Sequence, residues 1–135
     1  MSYEHIPDDA TIRSELKPCD SVVFPGYPEW HDKVAGRPIL RTGVVSSDPR
    51  FAYSRSGNDE GDIIAFEAFS FGGSSGSPVF ATQKGFPPGP IIMPGFRRFF
   101  LAGVNAGHYE ESDTGAHSGI SCFVRASAIL DIIDL

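Results

Sequence analysis

The chain has 135 residues, 41% hydrophobic and 12% aromatic, which suffices for one buried core and falls short of the roughly 200 residues that two such units need. A formal net charge of −6 excludes nucleic acid as a main partner, because phosphate binding needs a basic face. No apolar run approaches the roughly 20 residues of a membrane span, the amino-terminal segment lacks a signal-peptide pattern, and two cysteines make no disulfide framework, which favours a reducing, cytoplasmic setting.

Residues 1–18 are polar, with Pro7 and Asp8-Asp9, and read as a tail or linker carrying a turn of helix at 11–16 before a domain at 19–135. Strands are predicted at 21–24, 38–46, 62–66, 78–81, 99–104 and 119–124. Each is rich in β-branched or aromatic residues and bounded by Gly, Pro, Ser or Asp. The proline-rich stretch 84–98, with Ile91-Ile92-Met93 at its centre, reads as a hairpin loop or an edge strand. Residues 106–118 are polar and Gly-rich, and read as a loop joining two strands. The stretch 126–134 closes the chain as a helix, with Ile129, Ile132 and Ile133 at the spacing of one helical face. Six short strands with turn signals between them predict an all-β barrel.

The residues that carry chemistry lie between two apolar runs, in Phe71-Gly72-Gly73-Ser74-Ser75-Gly76-Ser77-Pro78-Val79-Phe80. Acyl transfer needs a hydroxyl presented on a sharp turn, with backbone N–H groups aimed at the oxygen that becomes negative. Gly73 and Gly76 can take positive φ without a Cβ penalty. Gly73 and Ser75 can then supply two converging N–H donors beside the Ser75 hydroxyl. A bare Gly-Ser-Ser-Gly is also what a flexible surface loop looks like, and the Pro-Val-Phe strand that follows is what sets this one apart.

With that strand, Gly-Ser-Ser-Gly-Ser-Pro-Val-Phe resembles the nucleophile motif of trypsin-like (chymotrypsin-fold) serine peptidases. The likeness runs in order from about residue 18 to 135. Segments 20–28 and 37–46 resemble the opening strands of that fold's second barrel, Phe99 to Gly107 the strand beside a bound substrate, and Ser118 to Val124 the last strand. The resemblance implies a six-stranded antiparallel Greek-key barrel, half of a double barrel, with a short C-terminal helix. It implies Ser75 as nucleophile, Gly73 and Ser75 as the oxyanion hole, and Phe69, Ser70, Asn105, Ala106 and Gly107 as the substrate-binding set, for a peptide or protein substrate. Phe69 at the pocket base argues against selection of lysine or arginine, and Asn105 stands where glutamate-selecting relatives carry histidine, so a small or apolar residue is expected. The alternative for Phe69 and Phe71 is that they fill the core.

The family's histidine and aspartate belong to a first barrel that has no counterpart here. His5 and His31 precede Ser75 too closely and read as solvated loop residues. His108 and His117 follow it, among Glu110, Glu111 and Asp113 but without zinc-type spacing, so no metal or cofactor is expected. A Ser75/His108 dyad is the one makeshift arrangement open to the chain. The expectation is a peptidase domain lacking its base, its inter-barrel face covered by a missing amino-terminal barrel or by a second copy. The alternative is a non-catalytic peptide-binding barrel derived from a peptidase.

Overall fold

The computed structural model describes residues 5–87, 89–90 and 94–134. Six strands, β1 (Ser21–Gly26), β2 (Ile39–Val45), β3 (Ile63–Glu67), β4 (Pro78–Ala81), β5 (Phe100–Glu110) and β6 (His117–Arg125), form a closed barrel in the order β1-β2-β3-β6-β5-β4, with every neighbouring pair antiparallel. Strands β4-β1-β2-β3 therefore lie side by side as a Greek key. The architecture is the all-β barrel that the strand spacing predicts.

Alternation explains which residues fill it. Val22 and Phe24 of β1, Val45 of β2, Ile64 and Phe66 of β3, Val79 and Ala81 of β4 and Phe123 of β6 all point inward and are buried. Phe66 is the hub, meeting Phe24 edge-on with ring centroids 5.5 Å apart and Phe123 at 5.4 Å. Each fully buried side chain of this size contributes about 1.5–3 kcal/mol by leaving water.

The segment before β1 is more than a tail. Helix α1 (Asp9–Glu15) starts where the Asp8 carboxylate accepts the Thr11 N–H at 2.8 Å, and Ile12 and Leu16, one turn apart, join the barrel core. At the other terminus α2 (Ser127–Ile133) forms as predicted, yet only Ile129 of the expected apolar face packs on the core, while Ile132 and Ile133 are exposed.

A second difference concerns residues 106–118. They are not a single loop. Strand β5 runs to Glu110 and β6 begins at His117, so the turn itself spans only 111–116, closed by Glu111 N–H to Ala116 O at 2.8 Å. This outer half of the β5–β6 hairpin projects beyond β4, leaving polar side chains in water, and composition alone makes a half-wet hairpin look like a loop. Within 84–98, Lys84 and Arg97 bridge antiparallel with reciprocal N–H to O bonds of 2.9 Å. Pro88 and Ile91 to Met93 lie outside the described residues.

Strand direction sorts the barrel into two ends. The starts of β1, β3 and β5 gather at one end, where Asp20, 3% exposed, is paired with Arg97, 5% exposed, and with Lys84. Burial alone would raise the Asp20 carboxyl, but hydrogen bonds from Lys84, the Lys17 N–H and Arg97 hold it below the usual carboxylate range. Beside it Arg125 is buried, its Nη2 donating to Phe51 O at 3.0 Å and its guanidinium 3.6 Å from Asp9 and 3.8 Å from Asp62. The starts of β2, β4 and β6 meet at the opposite end, together with segment 68–77.

Candidate active site

Ser75 lies at that second end, exposed, between Gly73 at φ +91° and Gly76 at φ +81°. A Cβ on Gly73 would stand 2.2 Å from Tyr27 O, so both space and backbone require glycine there. The turn is tied down on every side. Gly73 O accepts the Tyr27 N–H at 2.9 Å, Phe71 O accepts the Ser74 N–H at 2.9 Å, and Asn105 O accepts the Gly76 N–H at 2.8 Å. Asn105 completes the clamp, its N–H donating to Ser77 O and its Nδ2 to Ser74 O, both at 2.8 Å. Anchored in this way to β1 and β5, the segment is a fixed turn and not a loose loop.

What the clamp leaves over is chemically telling. Among the described residues, the N–H groups of Gly73 and Ser75 and the Ser75 hydroxyl have no acceptor or donor. They border a cleft of about 270 Å³ formed with Pro25, Gly26, Tyr27 and Ser77. Beneath it, Ser74 Oγ and Asn105 Oδ1 are buried without hydrogen-bond partners.

The predicted substrate-binding residues divide into two groups. Phe69 is 52% exposed and stacks on Phe71 at 6.3 Å, so it does not fill the core. Ala106 is exposed at a bulge where β5 steps past β6, and Gly107 follows it. The ladder of β5 with β4 ends at Pro78↔Val104 and Asn105 is bonded through its N–H and O to Ser77 and Gly76, so only beyond Asn105 does β5 pair with β6 alone. A stretch of strand edge is therefore open beside Ser75. Asn105 and Ser70, by contrast, are buried. The Ser70 and Ser121 hydroxyls share a hydrogen bond of 2.8 Å, with Ala68 O 2.9 Å from Ser121 Oγ and Gly107 O 3.4 Å from Ser70 Oγ as further acceptors. Both residues brace the site from within.

No histidine hydrogen-bonds Ser75 among the described residues. His31 Nδ1 donates to Pro28 O at 2.7 Å, with its ring against Tyr27 at 5.5 Å. His5 borders a separate groove with Arg98 and Phe99. His108 stacks on His117 at 4.2 Å, with its Nε2 3.7 Å from Glu110. His117 Nδ1 accepts the Gly119 N–H at 2.8 Å, so its Nε2 carries the proton and donates to Ser70 O at 2.9 Å. Burial, with help from His108 and Arg41, holds this imidazole below its ordinary range.

Three neighbours carry no signal in the sequence. Trp30 meets Phe71 edge-on at 5.4 Å, the Arg41 guanidinium sits 5.0 Å from the centroid of the same ring, and His117 lies against both Phe69 and Phe71. Only the inward register of β2, fixed by pairing Arg41 with Phe24, turns Arg41 toward the site. Among the described residues, no group of three or more His, Cys, Asp or Glu side chains could hold a metal ion. No protein-family model matches the chain, and no curated protein matches it by sequence.

Proposed function

We propose that Ser75 is the nucleophile of a trypsin-like peptidase site and that an extended peptide binds along the edge of β5 just beyond Asn105, at 106–107. The observation that carries this reading is the exposed Ser75 hydroxyl on a clamped turn, with the Gly73 and Ser75 N–H groups unengaged beside it. Ser75 Oγ attacks the peptide carbonyl, the two amides receive the developing oxyanion, the C–N bond breaks as the amine leaves, and water releases the acyl group. The proton that leaves Ser75 goes to a histidine brought by another segment or another chain, which delivers it to the departing amine. That partner covers Tyr27, Trp30 and Leu40, which stand exposed at this end. In its absence the serine is a weak nucleophile, and only the residual catalysis of the oxyanion hole and binding is expected, about 10³–10⁴-fold over water.

A second reading is favoured by one observation: among the described residues, no histidine is bonded to Ser75. In it the open β5 edge binds peptide by strand addition without chemistry. A fluorophosphonate separates the two. Labelling at Ser75 that disappears in Ser75→Ala supports an assembled site, whereas no labelling together with tight peptide binding assigns the barrel to recognition alone.

A further inference from the structure

Arg41 differs from the buried arginines Arg97 and Arg125 in having no carboxylate. Arg97 is paired with Asp20, and Arg125 lies within 4 Å of Asp9 and Asp62, yet no ion pair reaches Arg41 among the described residues, although the chain carries 17 acidic residues. The side chain as a whole is half-buried, but its Nη1 is fully buried with no hydrogen-bond partner; Arg97 Nε and Arg125 Nε are also buried without one, so it is the missing carboxylate that sets Arg41 apart. A buried guanidinium N–H without an acceptor is costly, and the Phe71 ring face offsets only part of that cost.

The surroundings are open on one side. Arg41 borders a groove of about 610 Å³, with Thr42, Val44 and Phe69 among its walls. Glu67 lines the same groove without pairing with the guanidinium. Behind the aromatic rings, the hydrogen bonds of His117 keep that ring neutral and fully engaged, so it does not compete for an anion. Phe71 is joined to the serine turn through its carbonyl, which accepts the Ser74 N–H. The ring that faces the cation is thus tied to the turn that carries the proposed nucleophile.

We infer that Arg41 receives a carboxylate of the bound peptide, with Phe69 and Phe71 as the apolar walls against which the rest of that residue packs. A planar fork with a free N–H suits a carboxylate, which can accept two parallel bonds. The inference rests on the peptide-site reading of the Ser75 cleft and departs from the small or apolar residue that the sequence predicts.

The test uses Trp30, the single tryptophan, whose contact with Phe71 makes its fluorescence a reporter of this cluster. Ser75→Ala protein is titrated with three alanine-based peptides: one capped at both ends with an internal glutamate, the same peptide with glutamine, and an uncapped all-alanine peptide. The glutamate peptide or the uncapped one is expected to bind at least tenfold more tightly than the glutamine peptide, which also tells a side-chain carboxylate from a terminal one. Arg41→Gln abolishes the difference, and Arg41→Lys, which keeps the charge but not the fork, restores only part of it. Equal binding of all three peptides, no binding of any, or discrimination that survives Arg41→Gln in a folded protein overturns the inference. Fluorophosphonate labelling at Ser75 does not depend on Arg41, so it tests the nucleophile independently of the carboxylate contact.

Discussion

The two ends of the barrel differ in how their cations are accompanied. At the end that holds Asp20, the buried cations have acidic neighbours: Asp20 is shared by Arg97 and Lys84, and Arg125 lies between Asp9 and Asp62. Both ends hold buried polar atoms without hydrogen-bond partners, Asp9 Oδ1, Arg97 Nε and Arg125 Nε at the first and Ser74 Oγ, Asn105 Oδ1 and Arg41 Nη1 at the Ser75 end, but among the described residues Arg41 has no ion pair, and Gly73 and Ser75, whose N–H groups have no acceptor, line a cleft. Unsatisfied groups of this kind cost stability unless something else uses them. The contrast teaches that carboxylates accompany the buried cations at one end of this fold, whereas at the other Arg41 stands without one.

The largest expected effect tests the closed end. Asp20→Ala leaves Arg97 buried without its carboxylate and is expected to lower stability by about 3–5 kcal/mol, measured by urea denaturation. A loss under about 1 kcal/mol, the size of a surface pair, would show that the pairing there is not structural. Next comes the turn. Gly73→Ala drives a Cβ into Tyr27 O and occupies a left-handed conformation, costing about 2–4 kcal/mol. Gly72→Ala, with open space around it, is expected to stay within about 0.5 kcal/mol. Equal costs at the two glycines would contradict a clamped turn.

A smaller effect is set by pH. The folded state holds His117 below its ordinary value of 6.5, so the unfolded chain binds the proton more readily. Stability from this group is complete above that value and falls as pH drops through it toward the lowered folded value. A protonated ring would also lose the Gly119 N–H bond at Nδ1. Melting curves of the parent chain and His117→Gln between about pH 7.5 and about pH 5.5, roughly one unit either side of the ordinary value, should converge as pH falls; curves that stay parallel would remove the group from the account. Smallest of all is Ser74→Ala. Deleting a buried hydroxyl that has no partner is expected to be neutral or to stabilise by up to about 1 kcal/mol, and a clear loss would reveal a bond that the geometry does not contain.

Much of the barrel is legible in the sequence because its strands are short runs closed by turn residues, as β4 is between Ser77 and Thr82. The serine turn is legible for a related reason, since few residues other than glycine fit at 73 and 76. The outer β5–β6 hairpin is not. Its strand character comes from pairing His108 with Ser121 and Glu110 with His117, a tertiary partnership that overrides a loop-like composition. Arg41 is hidden for the same reason, because an arginine on an alternating strand reads as a solvent-facing residue until register decides its side. The docking of Ile12 and Leu16 is encoded in their four-residue spacing, but a helix of two turns gives too weak a periodic signal to distinguish from a linker.

The contact between Gly26 and Ser74 carries a consequence for redesign. A methyl placed on Gly26 would sit 2.8 Å from Ser74 Oγ, whereas its distance to Ser74 Cβ would be an ordinary 3.5 Å. Residue size at the last position of β1 and residue size next to Ser75 are thus exchangeable quantities, one gaining a carbon only as the other sheds or swings away its oxygen. Anyone reshaping the cleft from the strand side will be editing the turn as well, and the two positions should be varied as a pair.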